Sequence, residues 1–155
     1  VIMATEIERK FLVNKGLWQP IAKGKKIAQG YLQHDVNKVV RVRIIGEQGF
    51  LTIKGKNDGI SRLEFEYEIP LVDAQELLLL CNKGVIEKTR YEVSFEGFLW
   101  EVDEFEGENG GLLLAEVELV SISENPDLPH WINQEVSNDK RYFNSYLSVN
   151  PFKSW

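Results

Sequence analysis

Charged and apolar residues alternate with a period of two along most of this chain, and that rhythm constrains the fold more than any other feature. Glu6-Ile7-Glu8-Arg9-Lys10-Phe11 sets the pattern. Successive side chains on a β-strand point to opposite faces. Glu6, Glu8 and Lys10 therefore share one face, with Ile7 and Phe11 on the other. The rhythm returns in Arg62 to Ile69, where Arg62, Glu64, Glu66 and Glu68 stand opposite Leu63, Phe65, Tyr67 and Ile69. A protein built this way must bury one face of each strand and find a use for a second face lined by charge of both signs.

The same reading predicts strands over Thr5 to Val13, Lys26 to Gln33, Lys38 to Ile45, Phe50 to Lys56, Arg62 to Ile69, Ile86 to Phe95, Phe98 to Phe105 and Leu112 to Val120. Turns fall at Gly46 to Gly49 and at Lys56-Asn57-Asp58-Gly59. Asp73 to Asn82 predicts a helix with Asp73 as its N-cap and Gly84 just beyond its end. Pro129-His130-Trp131-Ile132 suggests a short helix, and Asp139 to Leu147 another. Met3 is read as the natural start, after Val1 and Ile2. No linker, repeat or low-complexity tract divides the 155 residues, so residues 1–155 are expected to form one domain.

Composition excludes several classes. A net charge of -6 argues against general nucleic-acid binding, which needs a broad basic face. A local group of lysines and arginines on an acidic protein still suits a small anion. The single Cys81 rules out an internal disulfide and a cysteine-rich metal site, and it follows a leucine run as a buried thiol would. His34 and His130 stand alone, so nucleophilic Ser-His or Cys-His chemistry finds little support. No apolar run reaches the roughly 18 residues of a membrane span, and no secretory leader is visible, so a cytoplasmic protein is expected.

Two architectures satisfy the strand pattern: a sandwich whose charges form a solvated outer face, or a closed barrel whose charges line a tunnel. A barrel of about eight strands leaves room for one small ligand. The basic members of the ionic face are Lys10, Arg41, Arg43, Lys54, Lys88 and Arg90, all strong donors to phosphate oxygens. The acidic members are Glu6, Glu8, Glu64, Glu66, Glu116 and Glu118. Carboxylates tolerate phosphate only with a cation between, and a hard ion such as Mg²⁺ or Mn²⁺ takes both kinds of oxygen.

These residues carry a resemblance. Glu6-x-Glu8-x-Lys10, Val40-Arg41-Val42-Arg43, Thr52-Ile53-Lys54, Glu64-Phe65-Glu66, Glu87-Lys88-Thr89-Arg90, Trp100-Glu101-Val102-Asp103 and Ala115-Glu116-Val117-Glu118 follow one another in the order of the CYTH superfamily, the triphosphate tunnel metalloenzymes. The chain is most similar to bacterial inorganic triphosphatases, and the match spans almost its whole length. The resemblance implies a mainly β (α+β) fold: an eight-stranded antiparallel closed barrel forming a tunnel, with peripheral helices and a C-terminal helix. It also implies metal-dependent hydrolysis of tripolyphosphate to diphosphate and phosphate; the alternative is a polyphosphate- or nucleotide-binding module without turnover, which would keep the cations but could lose the acids. Other family members are class IV adenylate cyclases and thiamine or RNA triphosphatases. The cyclase branch has a His-Phe element before its first Glu, and Val1 to Thr5 lack one.

Carried over by position, Lys10, Arg41, Arg43, Lys54, Lys88 and Arg90 would hold the triphosphate. Glu6, Glu8, Glu64, Glu66, Glu116 and Glu118 would bind Mg²⁺ or Mn²⁺. Lys10 and Lys88, with Tyr31 beside them, are candidates for the proton acceptor. Glu101 and Glu104 flank Asp103 at different parity, and the family pattern favours Asp103 as an inner group supporting the site. Lys56 and Glu68 are expected at the rim or outside, and the tryptophans are expected to pack. A homodimer is a further expectation.

Overall fold

The computed structural model describes residues 4–35, 37–81 and 84–155. Met3, read above as the start, and Asn82, the expected helix end, lie outside the described residues. Eight antiparallel strands form a ring: β1 (Thr5–Val13), β2 (Lys25–Asp35), β3 (Lys38–Ile45), β4 (Gln48–Gly55), β5 (Ser61–Ile69), β6 (Ile86–Phe95), β7 (Phe98–Phe105) and β8 (Leu113–Glu118). Their order is β5-β4-β3-β2-β6-β7-β8-β1, and Thr5, Glu6 and Ile7 of β1 pair with Leu63, Arg62 and Ser61 of β5 to close the ring. The barrel expectation holds over the sandwich.

Closure raises the question of where the apolar faces go, and the barrel answers it twice. Outside, Phe11, Trp100, Val102, Ala115 and Val117 from β1, β7 and β8 pack beneath Trp18 and Trp131. Trp100 is fully buried, and its ring lies 5.5 Å from Phe11 and 6.2 Å from Trp131. Inside, the inward parity turns apolar toward one end. Leu12, Val39, Ile86, Phe105 and Leu114 follow Lys10, Arg41, Lys88, Asp103 and Glu116 at two-residue steps, and Val136 and Leu147 close over them. The lumen is thus an apolar plug at one end and a charged cavity at the other. The switch is written along each strand, because a two-residue step keeps the face.

Three sequence expectations need correction. Pro129 to Ile132 is not helical. The segment runs extended and ends in β9 (Ile132–Glu135), which pairs with Phe11 and Val13 of β1; backbone bonds from Asn14 N to Trp131 O and from Val136 N to Lys10 O hold it. The first helix, α1 (Leu71–Leu79), begins two residues before Asp73, on Pro70, and makes no side-chain cap, so Asp73 sits in its first turn. The expected helix over Asp139 to Leu147 breaks. Lys140–Tyr142 is a 3₁₀ turn capped by the Asp139 side chain; Phe143 is extended (φ -72°, ψ 134°); α2 (Asn144–Leu147) follows. The break leaves the Tyr142 carbonyl free to accept from Lys10 Nζ at 3.1 Å.

Helix α1 lies across β3 and β4, and Gly49 sets how closely. A Cβ built on Gly49 would stand 2.6 Å from Ala74 Cβ, which is fully buried. Gly49→Ala should therefore destabilise the fold by about 1–3 kcal/mol, the usual cost of overpacking. A urea melt that moves by less than about 0.5 kcal/mol would contradict this close packing.

Candidate active site

The strand register turns the alternating sequence into an inner wall. Lys10 stands opposite Glu116, Glu8 opposite Glu118, and Glu6 opposite Arg62. Around the ring, Lys54 faces Glu64, Thr52 faces Glu66, Arg41 faces both Thr52 and Tyr31, and Arg90 faces Asp103. The wall encloses a cavity of about 280 Å³ lined by seven basic and seven acidic side chains. Every residue expected in the site lines it except Asp103, which lies fully buried just behind. Lys56 and Glu68 are exposed and off the wall, and Trp18, Trp100 and Trp131 are packed in the outer core.

The expected site left out several residues of this wall and of the layer behind it. Arg62 and Glu101 line the cavity, and each sits two residues before an expected site residue, so parity alone would have found them. Glu101 shares the face of Asp103, and Glu104 points out and is exposed. Gln29 and Thr52 are fully buried on the inward face and hydrogen-bond the arginines.

The cations fall into two groups. At one end, Lys54 Nζ lies 3.2 Å from Glu6 and 3.4 Å from Glu64. At the other, Asp103 is the hub. It accepts Arg90 Nε at 2.7 Å and Arg90 Nη2 at 2.8 Å, and Lys88 Nζ at 2.7 Å. Burial alone would raise the Asp103 carboxyl, but Arg90 and Lys88 outweigh it and hold it at about 2. Lys88 is 1% exposed, and burial lowers its amine to about 7; Asp103 opposes this, and Arg90 and Arg43 add to it. A lysine near neutrality is the usual means of making an amine able to take up a proton.

Between these groups stand Arg41 and Arg43. Arg41 donates to Thr52 at 3.1 Å and approaches Glu66 at 3.5 Å, but its buried Nε has no hydrogen-bond partner among the described residues. Arg43 donates its Nε to the neutral Gln29 amide at 3.1 Å. Burial, with Arg41 and Arg90 beside it, lowers its guanidinium to about 10. Tyr31 is buried, and its hydroxyl accepts from Gln29 Nε2 at 2.9 Å.

The acids make the opposite demand. Glu6 and Glu64 stand close enough to act on each other's carboxyls, as do Glu8 and Glu116. Burial, then Glu116 and Glu6, push the Glu8 carboxyl well above its ordinary value. Burial and Glu6 raise Glu118. Facing carboxylates this close need a shared proton or a bound cation. Among the described residues, no group of three acidic, histidine or cysteine side chains is already gathered around one point. The fit to a metal ion therefore rests on these paired, mutually repelling oxygens, the hard donor set that divalent ions prefer.

Comparison with known proteins follows the same line. The CYTH domain profile matches residues 4–145. A protein of Acetivibrio thermocellus named inorganic triphosphatase is 52% identical over 154 residues, 99% of each chain. One of the same name from Nitrosomonas europaea is 36% identical over 152 residues, covering 94% of this chain and 97% of that one. The crystal structure of an inorganic triphosphatase matches this fold with a TM-score of 0.66 at 35% identity, covering 95% of this chain and 96% of that one.

Proposed function

This chain belongs to the CYTH domain family, and on that premise we propose that it hydrolyses inorganic triphosphate to diphosphate and phosphate with a divalent metal ion, Mg²⁺ or Mn²⁺. One observation carries the reading: Arg43, an inward guanidinium that hydrogen-bonds only the neutral Gln29 amide among the described residues, stands beside Arg41 with its unpartnered Nε. A guanidinium with no carboxylate partner beside one with a donor still unpaired calls for an anion, and planar donor forks suit phosphate oxygens.

In this reading Arg41, Arg43 and Arg90 grip the chain of phosphates, with Lys54 and Lys10 toward its flanks. Glu6, Glu8, Glu116 and Glu118 would hold the metal, with Glu64 or Glu66 completing a second position. When bound, the ion neutralises phosphate charge and makes water more acidic. The protein supplies the rest by positioning. Phosphoryl transfer spreads charge over the equatorial oxygens, and cations already fixed in a dry cavity stabilise that charge without reorganising. Lys88, held near neutrality, can take the proton of the attacking water. Lys10 instead donates to the Tyr142 carbonyl and lies 3.8 Å from Glu116. Asp103 supports both Lys88 and Arg90 and meets no substrate. Two relatives of similar length are named inorganic triphosphatase, which supports the bare polyphosphate as substrate. No described helix is long and apolar enough to cross a membrane.

The test is phosphate release from tripolyphosphate, ATP and thiamine triphosphate, each with Mg²⁺ or Mn²⁺. The expected result is a kcat/KM for tripolyphosphate at least about 10-fold above the other two, a gap of about 1.4 kcal/mol. Equal turnover of ATP would contradict the substrate assignment, and no release from any of the three would contradict the enzyme.

A further inference from the structure

We infer that Asn144, the first residue of α2, is a positioning residue that aims the Lys88 amine into the cavity and fixes the Gln29 amide behind Arg43. Its Oδ1 accepts from Lys88 Nζ at 3.0 Å and from Gln29 Nε2 at 3.3 Å. Gln29 is fully buried, and its other contacts are to Tyr31 Oη and Arg43 Nε. One side-chain oxygen thus ties the terminal segment to two of the cations that face the cavity. An ammonium has three hydrogens. With one directed to Asp103 and one to Asn144, the remaining N–H, or the lone pair of the neutral amine, is directed toward the cavity that Lys88 lines.

Asn144 is itself well anchored. Leu147, three residues on, is buried in the inner apolar plug, and Ser148 Oγ meets His34 Nε2 at 3.0 Å. The groups facing Lys88 from each neighbouring element are Gln29 and Tyr31 on β2, Arg43 on β3, Arg90 on β6, Asp103 and the Phe105 ring on β7, and Glu116 on β8. Asn144 is the neutral acceptor in contact with the amine within this highly charged set. An acceptor there orients the amine without pinning its proton as a second carboxylate would. The kinetic consequence rests on the reading of Lys88 as proton acceptor; the geometric claim does not.

Two variants test it. The Lys88 Nζ resonance of ¹⁵N-lysine-labelled, metal-free protein is followed against pH in wild type, Asn144→Asp and Asn144→Leu, with Lys88→Arg for assignment. Asn144→Asp places an opposite charge against the amine and should raise its midpoint by at least about one pH unit. Asn144→Leu removes an acceptor of the charged form and should lower it. The acid limb of kcat for tripolyphosphate should move by the same amount and in the same direction as the midpoint. Midpoints unchanged in both folded variants would overturn the inference, since a residue that only packs the tunnel end would not move them. Midpoints that move while the acid limb of kcat stays fixed would support the positioning role and sink the proton-acceptor reading of Lys88.

Discussion

Glu8→Gln should lower tripolyphosphate turnover by on the order of 10²–10³-fold, the scale of losing one preorganised charge contact in an active site, and at the same time raise the thermal midpoint of the metal-free protein. The opposite signs follow from one cause. Glu8 is crowded by Glu116 and Glu6, and burial pushes its carboxyl well above the ordinary 4.5. A group whose folded value is raised favours the folded state at low pH. That contribution is lost as pH rises from the unfolded carboxyl's range through the raised folded value. At neutral pH the crowded, buried Glu8 carboxyl therefore works against folding of the metal-free protein, and the neutral amide removes that cost. Each kcal/mol so relieved should raise the midpoint by roughly 2–4 °C. A divalent ion should stabilise the wild type and leave Glu8→Gln nearly unmoved. Calorimetry with and without metal checks all of this. A Glu8→Gln protein that melts lower than wild type without metal would contradict the carboxylate crowding.

Asp103→Leu should have the largest effect on stability. Asp103 is the shared partner of Lys88 and Arg90; Asp103 and Lys88 are buried, and the Arg90 side chain is 11% exposed. Leucine fills the space and leaves both cations behind. Breaking a buried pair from one side costs about 3–5 kcal/mol, because an uncompensated charge remains. The sign with pH is also fixed. The Asp103 carboxyl sits at about 2 against an ordinary 3.8, so its stabilisation is present above the ordinary value and is lost as pH falls from about 4 toward 2. Wild type should therefore lose stability across that window, and Asp103→Leu should lack this part of the loss. Urea unfolding at pH 7 and pH 3 measures both. A variant within 1 kcal/mol of wild type at pH 7 would show that the two cations find other partners.

Much of this site was legible because a barrel preserves parity. Glu6, Glu8 and Lys10 share a face on any strand, and closure makes that face a wall. The same rule contained Arg62, on the face of Glu64, and Glu101, two residues from Asp103; both were left out of the expected site because it was drawn from the family pattern and not from parity alone. Other features had no local signal. Asn144 reaches Lys88 only because the terminal segment turns at an extended Phe143 and drives Leu147 into the plug. The breaking of the expected helix over Asp139 to Leu147 is a tertiary event: the Tyr142 carbonyl serves Lys10 instead of a helical turn. In the same way Pro129 to Ile132 lost its helical reading to the free edge of β1, where a strand gains ladder hydrogen bonds that an isolated turn cannot offer.

The central claim is that the charged cavity binds tripolyphosphate with a metal ion and cleaves it. ³¹P NMR of tripolyphosphate with the protein and Mg²⁺ or Mn²⁺ tests it most directly, with Glu6→Gln and excess chelator as controls. The account predicts equal amounts of diphosphate and phosphate from the wild type, and an unchanged tripolyphosphate spectrum in both controls. Cleavage that persists in Glu6→Gln or under chelation would contradict it, as would tripolyphosphate that binds to the wild type and remains intact.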